Sequence, residues 1–389
     1  MTDSVARTRS KVTPDSRDDA PVRIGIIGAG FWAVQFYLPF LEEHPSARCV
    51  GVVRPGREEL RALQDRFELD IASENIADLL SAECDAIIVA SPPTLHCEHA
   101  IQALRAGAHV LVEKPMGITL TEARELERVV LDTGRGLSVA HGFNYMPMSA
   151  WAIDFVQAGR LGRPLSACGY MASALVGLFS GESGYGMINV GGVNFRAERG
   201  TWADPAARGG YLYGQLSHLV GLALAFISAR PRDVFARAQR LATGVDIDVS
   251  VSVQFEDDAI ASFIGNGRLP WGVRYPMELR IVGEEGTLSL DFERERADVF
   301  LGKSTPPQNY EWKNEVAFSG REPDAALSVE PGDGIYTCAG PVEYLVDCCR
   351  GRSPANRAPV ELGARAVAIL DAANRSLELG EPVASVFST

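Results

Sequence analysis

The sequence predicts an α/β chain in two parts: a parallel sheet wound with helices, then an α/β region with a large, mostly antiparallel sheet. Three observations carry this expectation. From Val22 onward, apolar runs of strand length alternate with helical segments, as buried parallel strands joined by crossover helices do. The first such run leads into a glycine pattern at a strand-to-helix turn. In the second half, strand patterns follow one another, clearest in "DVSVSVQF", where Val249, Val251, Val253 and Phe255 share one face.

In chain order, residues 1–20 are polar and mixed in charge, with no apolar core of the kind a signal peptide needs, and read as a disordered tail. The apolar strand Val22 to Ile27 comes next, then "GAGFWA", with Gly28, Gly30 and Ala33 in G-x-G-x-x-A spacing ahead of a helix. The first glycine permits the tight turn, the second lets a pyrophosphate approach the backbone, and the third position needs a small residue for packing. Free N–H groups at the helix start then face the phosphate. Phe31 and Trp32 fall within this cofactor-binding turn. A second strand, "ARCVGVV", ends at Arg54. An acid here would hold the ribose 2′-OH of NAD. The chain instead reads Arg54-Pro55-Gly56-Arg57: an arginine pair suited to a 2′-phosphate, or solvated loop charges. NADP is therefore slightly favoured over NAD.

The alternation continues with a helix over 76–80, a strand over 85–93, a helix over 96–106, a strand over 109–115, a helix over 120–133 and the strand "LSVAHGF". Ligands of such sheets lie beyond the carboxyl ends of the strands. Ser91, Pro92, His96, Glu113, Lys114 and Asn144 are thereby expected to line one cleft and contact the cofactor. His141 reads as structural. The domains expected are 21–142 for the dinucleotide and 143–389 for substrate and oligomerisation.

The bulk numbers limit the partners. A chain of 389 residues suggests two domains. A formal net charge of −13 without a basic run argues against nucleic acid. No stretch approaches a membrane span. The seven cysteines form no C-x-x-C pair, which points to a reducing cytoplasm and no structural zinc.

The set "GAGFWA", "ASPPTLH", "VEKPM", "GFNY" and "GGYLYGQLSH" resembles the Gfo/Idh/MocA family, the relatives of glucose–fructose oxidoreductase and inositol dehydrogenase, over nearly the whole chain. The resemblance implies a Rossmann domain followed by the open-sheet domain, a nicotinamide cofactor, and a sugar, glycoside or cyclitol substrate. It implies that Lys114 sits at the substrate hydroxyl and that His218 lies near the reacting carbon. It also implies self-association, as a dimer or tetramer, through the open sheet. The chain departs from the family in two places. Where relatives commonly write Asp-x-x-x-His, the position four before His218 is Gly214, and where many have Arg after Asn-x, Met146 follows Tyr145.

Oxidation of a secondary alcohol needs an acceptor for the hydroxyl proton and a charge that steadies the developing oxyanion. Imidazole titrates near neutrality, so His218 is the expected acceptor; Lys114 supplies the charge. Tyr145, Arg196, Trp202, Tyr213 and Gln215 are candidate substrate contacts, with loop-anchoring the alternative for Trp202. A non-catalytic dinucleotide-dependent binding protein is the competing reading.

The second half then gives a helix from "MPMSAWAIDFVQ", five or six strands, a hairpin at "GEEGTLSL" with Gly286 available for a positive φ, and amphipathic helices over 341–349 and 360–377. The glycine-rich stretch 177–195 reads as a long loop over the substrate cleft, and 303–334 as an irregular surface loop.

Overall fold

The computed structural model describes residues 20–182, 186–302, 322–329 and 338–385. The expected tail lies outside them except for Ala20, as does most of the 303–334 stretch.

The first sheet holds β1 (Val22–Ile27), β2 (Ala47–Val53), β3 (Ile71–Ser73), β4 (Ala86–Val89), β5 (His109–Val112) and β6 (Leu137–Val139). All its pairings are parallel, in the order β3-β2-β1-β4-β5-β6. Ile24, Ile26, Ile88 and Leu111 are fully buried between its helical layers. These layers include α1 (Leu38–Glu43), entered through a wide π-helical turn at Ala33–Tyr37, then α2 (Arg57–Phe67), α3 (Ile76–Leu80), α4 (His96–Arg105) and α5 (Leu120–Thr133). A capping box between Thr119 and Glu122 starts α5 at the residue the pattern predicts. β4 and β5 are shorter than the apolar text. The chain leaves the ladder after Val89 and Val112, because the prolines at 92, 93 and 115 cannot donate to it. The residues so released turn out beyond the strand ends, where the order of the sheet reverses between β1 and β4.

The second part contains α6 (Pro147–Gln157), β7 (Pro164–Ala172), α7 (Val176–Phe179), β8 (Met187–Val190), β9 (Val193–Arg196), α8 (Arg199–Trp202) and α9 (Ser217–Leu224). It continues through β10 (Pro231–Arg240), β11 (Asp246–Phe255), β12 (Ile260–Asn266), β13 (Met277–Gly283), β14 (Gly286–Asp291), β15 (Arg296–Leu301) and β16 (Ala325–Ser328). It closes with α10 (Ala339–Cys349), α11 (Val360–Leu379) and β17 (Val383–Ala384). Among the described residues, nine strands form one sheet in the order β16-β15-β14-β13-β7-β12-β11-β10-β17, antiparallel except for β7 beside β12. Val249, Val251, Val253 and Phe255 of β11 are buried on the face toward the core. Ile260 and Ile264 of β12 stand about half exposed on the other face, at 55% and 51%.

Besides β3, which the sequence pattern did not show, the structure differs from expectation in four places. The sheet has nine strands rather than five or six; β16 forms inside the stretch read as a loop, and β17 is only two residues. Gly286 has a φ of +158°, nearly extended; it is required for space, since a Cβ there would lie 2.2 Å from the Phe300 carbonyl oxygen. The glycine-rich stretch does not lie over the substrate cleft as one long loop. Its residues 187–196 form the β8–β9 hairpin, whose Val190 and Phe195 join the core of the first part, while residues 183–185 lie outside the described set. Finally, α10 returns to that same core through Val342, Leu345 and Val346, and α11 reaches the neighbouring one through Ala364 and Val367. The first sheet is therefore covered by helices from the far end of the chain.

Candidate active site

The site grows from the carboxyl ends of β1, β4 and β5. Gly28 follows β1 with a φ of +92°, and a Cβ on it would lie 2.2 Å from the Ser91 nitrogen. Only glycine lets the two turns meet. At Gly30 a Cβ would meet nothing within 4 Å: the groove there is open, which is what a pyrophosphate approaching the backbone requires. Ala33 is fully buried, as the small third position demands. Phe31 borders Gly186, and the Trp32 ring lies tilted against Phe36, centroids 4.2 Å apart. These residues fit a bound dinucleotide.

Arg54 follows β2, with its guanidinium 4.9 Å over the Phe195 ring of the hairpin. It donates to the carbonyls of Ala29 (3.1 Å) and Pro55 (2.9 Å), and one terminal nitrogen is 3.7 Å from Glu59. Arg57 is the solvated member of the pair, with its side chain 89% exposed beside Glu74. The sequence reading found no acid at the strand end. Glu59, in the first turn of α2, supplies one nearby.

Ser91 is buried and its hydroxyl meets His99 Nδ1 at 2.9 Å; Pro92 is exposed. His96 does not line the groove. Its two ring nitrogens face the carbonyl oxygens of Pro115 (2.7 Å) and Ser91 (2.6 Å), so it clamps the turn after β4 to the turn after β5. Burial pushes its pKa down to about 4, against the pull of those two carbonyls toward the cation. Glu113 turns toward the first core, where it accepts from the Tyr37 hydroxyl (2.6 Å) and the Lys114 backbone N–H (3.1 Å).

Lys114 reaches across to the second part. Its ammonium donates to the Gly214 carbonyl at 2.5 Å and sits 6.0 Å from the Trp202 ring centroid. Desolvation pushes its pKa down to about 8, with Glu113 acting in the opposite sense. Gly214 lies in a second wide π-helical turn, Leu212–Leu216, which runs directly into α9 and His218. Such turns recur at functional sites. They also break the simple count in which position 214 lies one α-helical turn before 218.

Two findings explain the uncharged run around His218. The space beside Gly214 is filled by aromatic rings, because a Cβ there would lie 3.2 Å from both Phe179 and Trp202. The helix start is held by a carboxylate from elsewhere: Asp246 of β11, itself buried, accepts the Leu212 N–H at 2.7 Å. Burial raises the Asp246 pKa to about 6. No local signal in the sequence marks Asp246, since it precedes the alternation of β11 and pairs across 34 positions.

Three expected contacts are turned into the fold. Asn144 is fully buried, and its amide donates to the carbonyls of Gly221 (3.3 Å) and Arg357 (2.9 Å). The Tyr145 hydroxyl meets Ser138 (2.8 Å) and donates to Asn356 (3.2 Å). Tyr213, 2% exposed, donates to the Ile118 carbonyl at 3.3 Å. In each case a polar group near the strand ends met a backbone or side-chain acceptor as the two parts closed on each other. Arg196 is exposed at the end of β9, and Gln215 is half-buried in the wide turn. The structure thus brings together Lys114, Gly214, Trp202 and His218, and keeps Asn144, Tyr145 and Tyr213 as joints.

Among the described residues no His, Cys, Asp and Glu group could hold a metal ion, and no helix is long and apolar enough to cross a membrane. The seven cysteines form no disulfide.

Residues 22–141 match the family described as oxidoreductases with an NAD-binding Rossmann fold, and residues 151–289 match the GFO/IDH/MocA C-terminal domain. An uncharacterized oxidoreductase of Schizosaccharomyces pombe is 26% identical over 234 residues, 59% of this chain and 58% of that protein. Glucose-6-phosphate 3-dehydrogenase of Bacillus subtilis is 40% identical over 129 residues, 33% of this chain and 35% of that one. The matches thus span about a third to rather more than half of these relatives. Among solved structures, scyllo-inositol dehydrogenase of Lactobacillus casei, with NAD(H) and scyllo-inositol bound, superposes with a TM-score of 0.67 at 16% identity, over 94% of this chain and 99% of that one. That likeness is one of fold.

Proposed function

The chain belongs to the Gfo/Idh/MocA oxidoreductase family, and from that premise we propose that it transfers a hydride between NAD or NADP and a ring secondary hydroxyl of a sugar, glycoside or cyclitol, or the matching ketone. The observation that carries this reading is the meeting of Lys114 with the turn that leads into His218, across 100 positions of sequence. Lys114 and His218 are both buried, and the lysine charge acts on the imidazole. The name of a relative matched over a third of its length, glucose-6-phosphate 3-dehydrogenase, supports a sugar-like substrate.

Gly28, Gly30 and the helix start after them would hold the pyrophosphate, and Arg54 the ribose end. The nicotinamide supplies the hydride acceptor. His218 takes the hydroxyl proton: burial, with Lys114 and His141 beside it, holds its pKa well below the ordinary imidazole value, so it starts neutral. Lys114, while protonated, steadies the negative charge that grows on the substrate oxygen. Trp202 borders the same space and offers a flat apolar face to a sugar ring.

The direct test is absorbance of the reduced nicotinamide with NAD or NADP and a panel of hexoses, methyl glycosides, inositols and keto-sugars. Turnover is expected with at least one. None in either direction would leave the non-catalytic binding protein as the better reading. Arg54 reports on cofactor choice. Arg54→Ala should raise the NADP KM about tenfold more than the NAD KM, the worth of one charge-assisted contact. Equal changes would show that Arg54, already engaged with Ala29, Pro55 and Glu59, does not read the 2′-phosphate.

A further inference from the structure

We propose that Asp246 is a positioning residue of this site: the buried carboxylate that fixes the wide turn Leu212–Leu216, and through it the Gly214 carbonyl that holds the Lys114 ammonium. The proposal rests on Lys114 acting at the substrate hydroxyl.

Asp246 is the first residue of β11 and is 6% exposed. A carboxylate buried this far needs partners, and here they are backbone N–H groups. It accepts the Leu212 N–H at 2.7 Å. The N–H groups of Tyr211 and of Asp246 itself also favour its ionised form, as does Arg240, its register partner on β10. Burial works against them and raises the pKa to about 6. At neutral pH the group is therefore ionised and its hydrogen bond charge-assisted. Gly210 makes the approach possible. Its φ is +108°, and a Cβ there would lie 2.5 Å from Asp246 Oδ1, so only glycine lets the chain pass this close.

The run 209–229 has no Asp, Glu, Lys or Arg, so a charged anchor for the turn has to come from elsewhere in the chain. What the anchor holds is the seam with the first part. The Tyr213 hydroxyl donates to the Ile118 carbonyl at 3.3 Å, and the Gly214 carbonyl accepts from Lys114 at 2.5 Å. Lys114 and Ile118 both lie in the short link between β5 and α5. The Ser217 hydroxyl then bonds back to the Tyr213 carbonyl at 2.8 Å, next to His218. A wide turn lacks the regular spacing of an α-helix, so the point at which its first N–H is held sets where the carbonyl of residue 214 falls.

The charged surroundings are few. Glu113 faces Lys114, and Arg240 faces Asp246. The buried Tyr213 hydroxyl feels Asp246 together with Arg208, Asp371 and Glu378. Asp248, two residues along β11, is bonded to Arg268 at 2.7 Å. A carbonyl held against the ammonium favours the charged lysine. If the turn drifts, that support weakens, Lys114 becomes neutral at lower pH, and the substrate oxygen loses the charge that steadies it.

Lysine-selective spectra of the full chain with NAD bound test this without any turnover. The chain has four lysines, so Lys114→Met assigns the signal. Asp246→Ala removes the anchor, whereas Asp246→Asn keeps its shape and an acceptor oxygen but not its charge. The Lys114 transition, near 8 in the wild type, should move down by about one pH unit in Asp246→Ala and by less in Asp246→Asn. With whichever sugar of the panel is turned over, kcat should fall about 10²-fold in Asp246→Ala and about tenfold in Asp246→Asn, with KM nearly unchanged. The alkaline fall of kcat/KM should move with the lysine. A carboxylate that only stabilised the fold would lower Tm and leave the Lys114 transition where it is. An unchanged transition in both variants therefore overturns the proposal, and if Asp246→Ala does not fold, Asp246→Asn decides alone. If no sugar is turned over, the catalytic reading fails while the spectra still decide whether Asp246 governs Lys114.

Discussion

Lys114→Met should lower kcat about 10³-fold or more while NAD(P) affinity, read by fluorescence quenching, stays close to wild type. The lysine ammonium is bonded to the Gly214 carbonyl, which the proposed function places on the substrate side, whereas the glycine turn proposed for the pyrophosphate, at Gly28 and Gly30, is untouched. Methionine keeps the length of the side chain and its packing, which separates loss of charge from loss of fold. The pH profile sharpens the test. Lys114 is pushed down to about 8 by burial, and His218 starts neutral. If the lysine serves as a cation, kcat/KM is level below its pKa and falls as pH rises through about 8. A profile that rises through the same range would make neutral Lys114 the base and reverse the two roles. Ordinary turnover in the methionine variant would remove Lys114 from the chemistry.

Gly28→Ala should cost about 3 kcal/mol or more, from positive-φ strain together with overpacking. The Cβ would press on the backbone of Ala90 and Ser91. Neither can retreat freely, because Ala90 N–H donates to the Ile27 carbonyl (2.7 Å) and the Ser91 carbonyl is held against His96 Nε2 (2.6 Å). A Tm drop of roughly 6–12 °C is expected for a domain of this size, with loss of NAD(P) binding. Gly30→Ala is the contrast. Its Cβ meets nothing, so Tm should hold while dinucleotide affinity falls, because the new methyl stands in the open groove. If both variants kept wild-type affinity, the turn would not be the phosphate site.

Most of the fold was legible in the sequence because burial on both faces writes itself as continuous apolar runs, and burial on one face as alternation. Five of the six strands of the first sheet and the β11 face are of this kind; β3, three half-buried residues, is not. The hairpin β8–β9 was not legible. Its four-residue strands carry too few positions to show a period, and what they bury is the surface of the other part of the chain. The candidate site could be proposed from the sequence where chemistry is concentrated in one short motif, as at Gly28, Lys114 and His218. Partners fixed by tertiary packing were hidden. Nothing local distinguishes Asn144 as a joint from Asn144 as a ligand contact, and Asp246 and His141 reach the helix of His218 only after the chain folds.

The packing beside Gly214 limits how this site can change. A Cβ at that position would already press on the rings of Phe179 and Trp202 at 3.2 Å, and a carboxylate needs more space than a Cβ. Gly214→Asp alone is expected to disturb the helix start rather than rebuild an acid–imidazole pair; the aromatic wall has to retreat first. The three positions are therefore epistatic. A lineage, or an engineer, crossing between glycine and aspartate at this candidate site must relieve Phe179 and Trp202 before changing position 214, and the reverse order passes through a damaged intermediate.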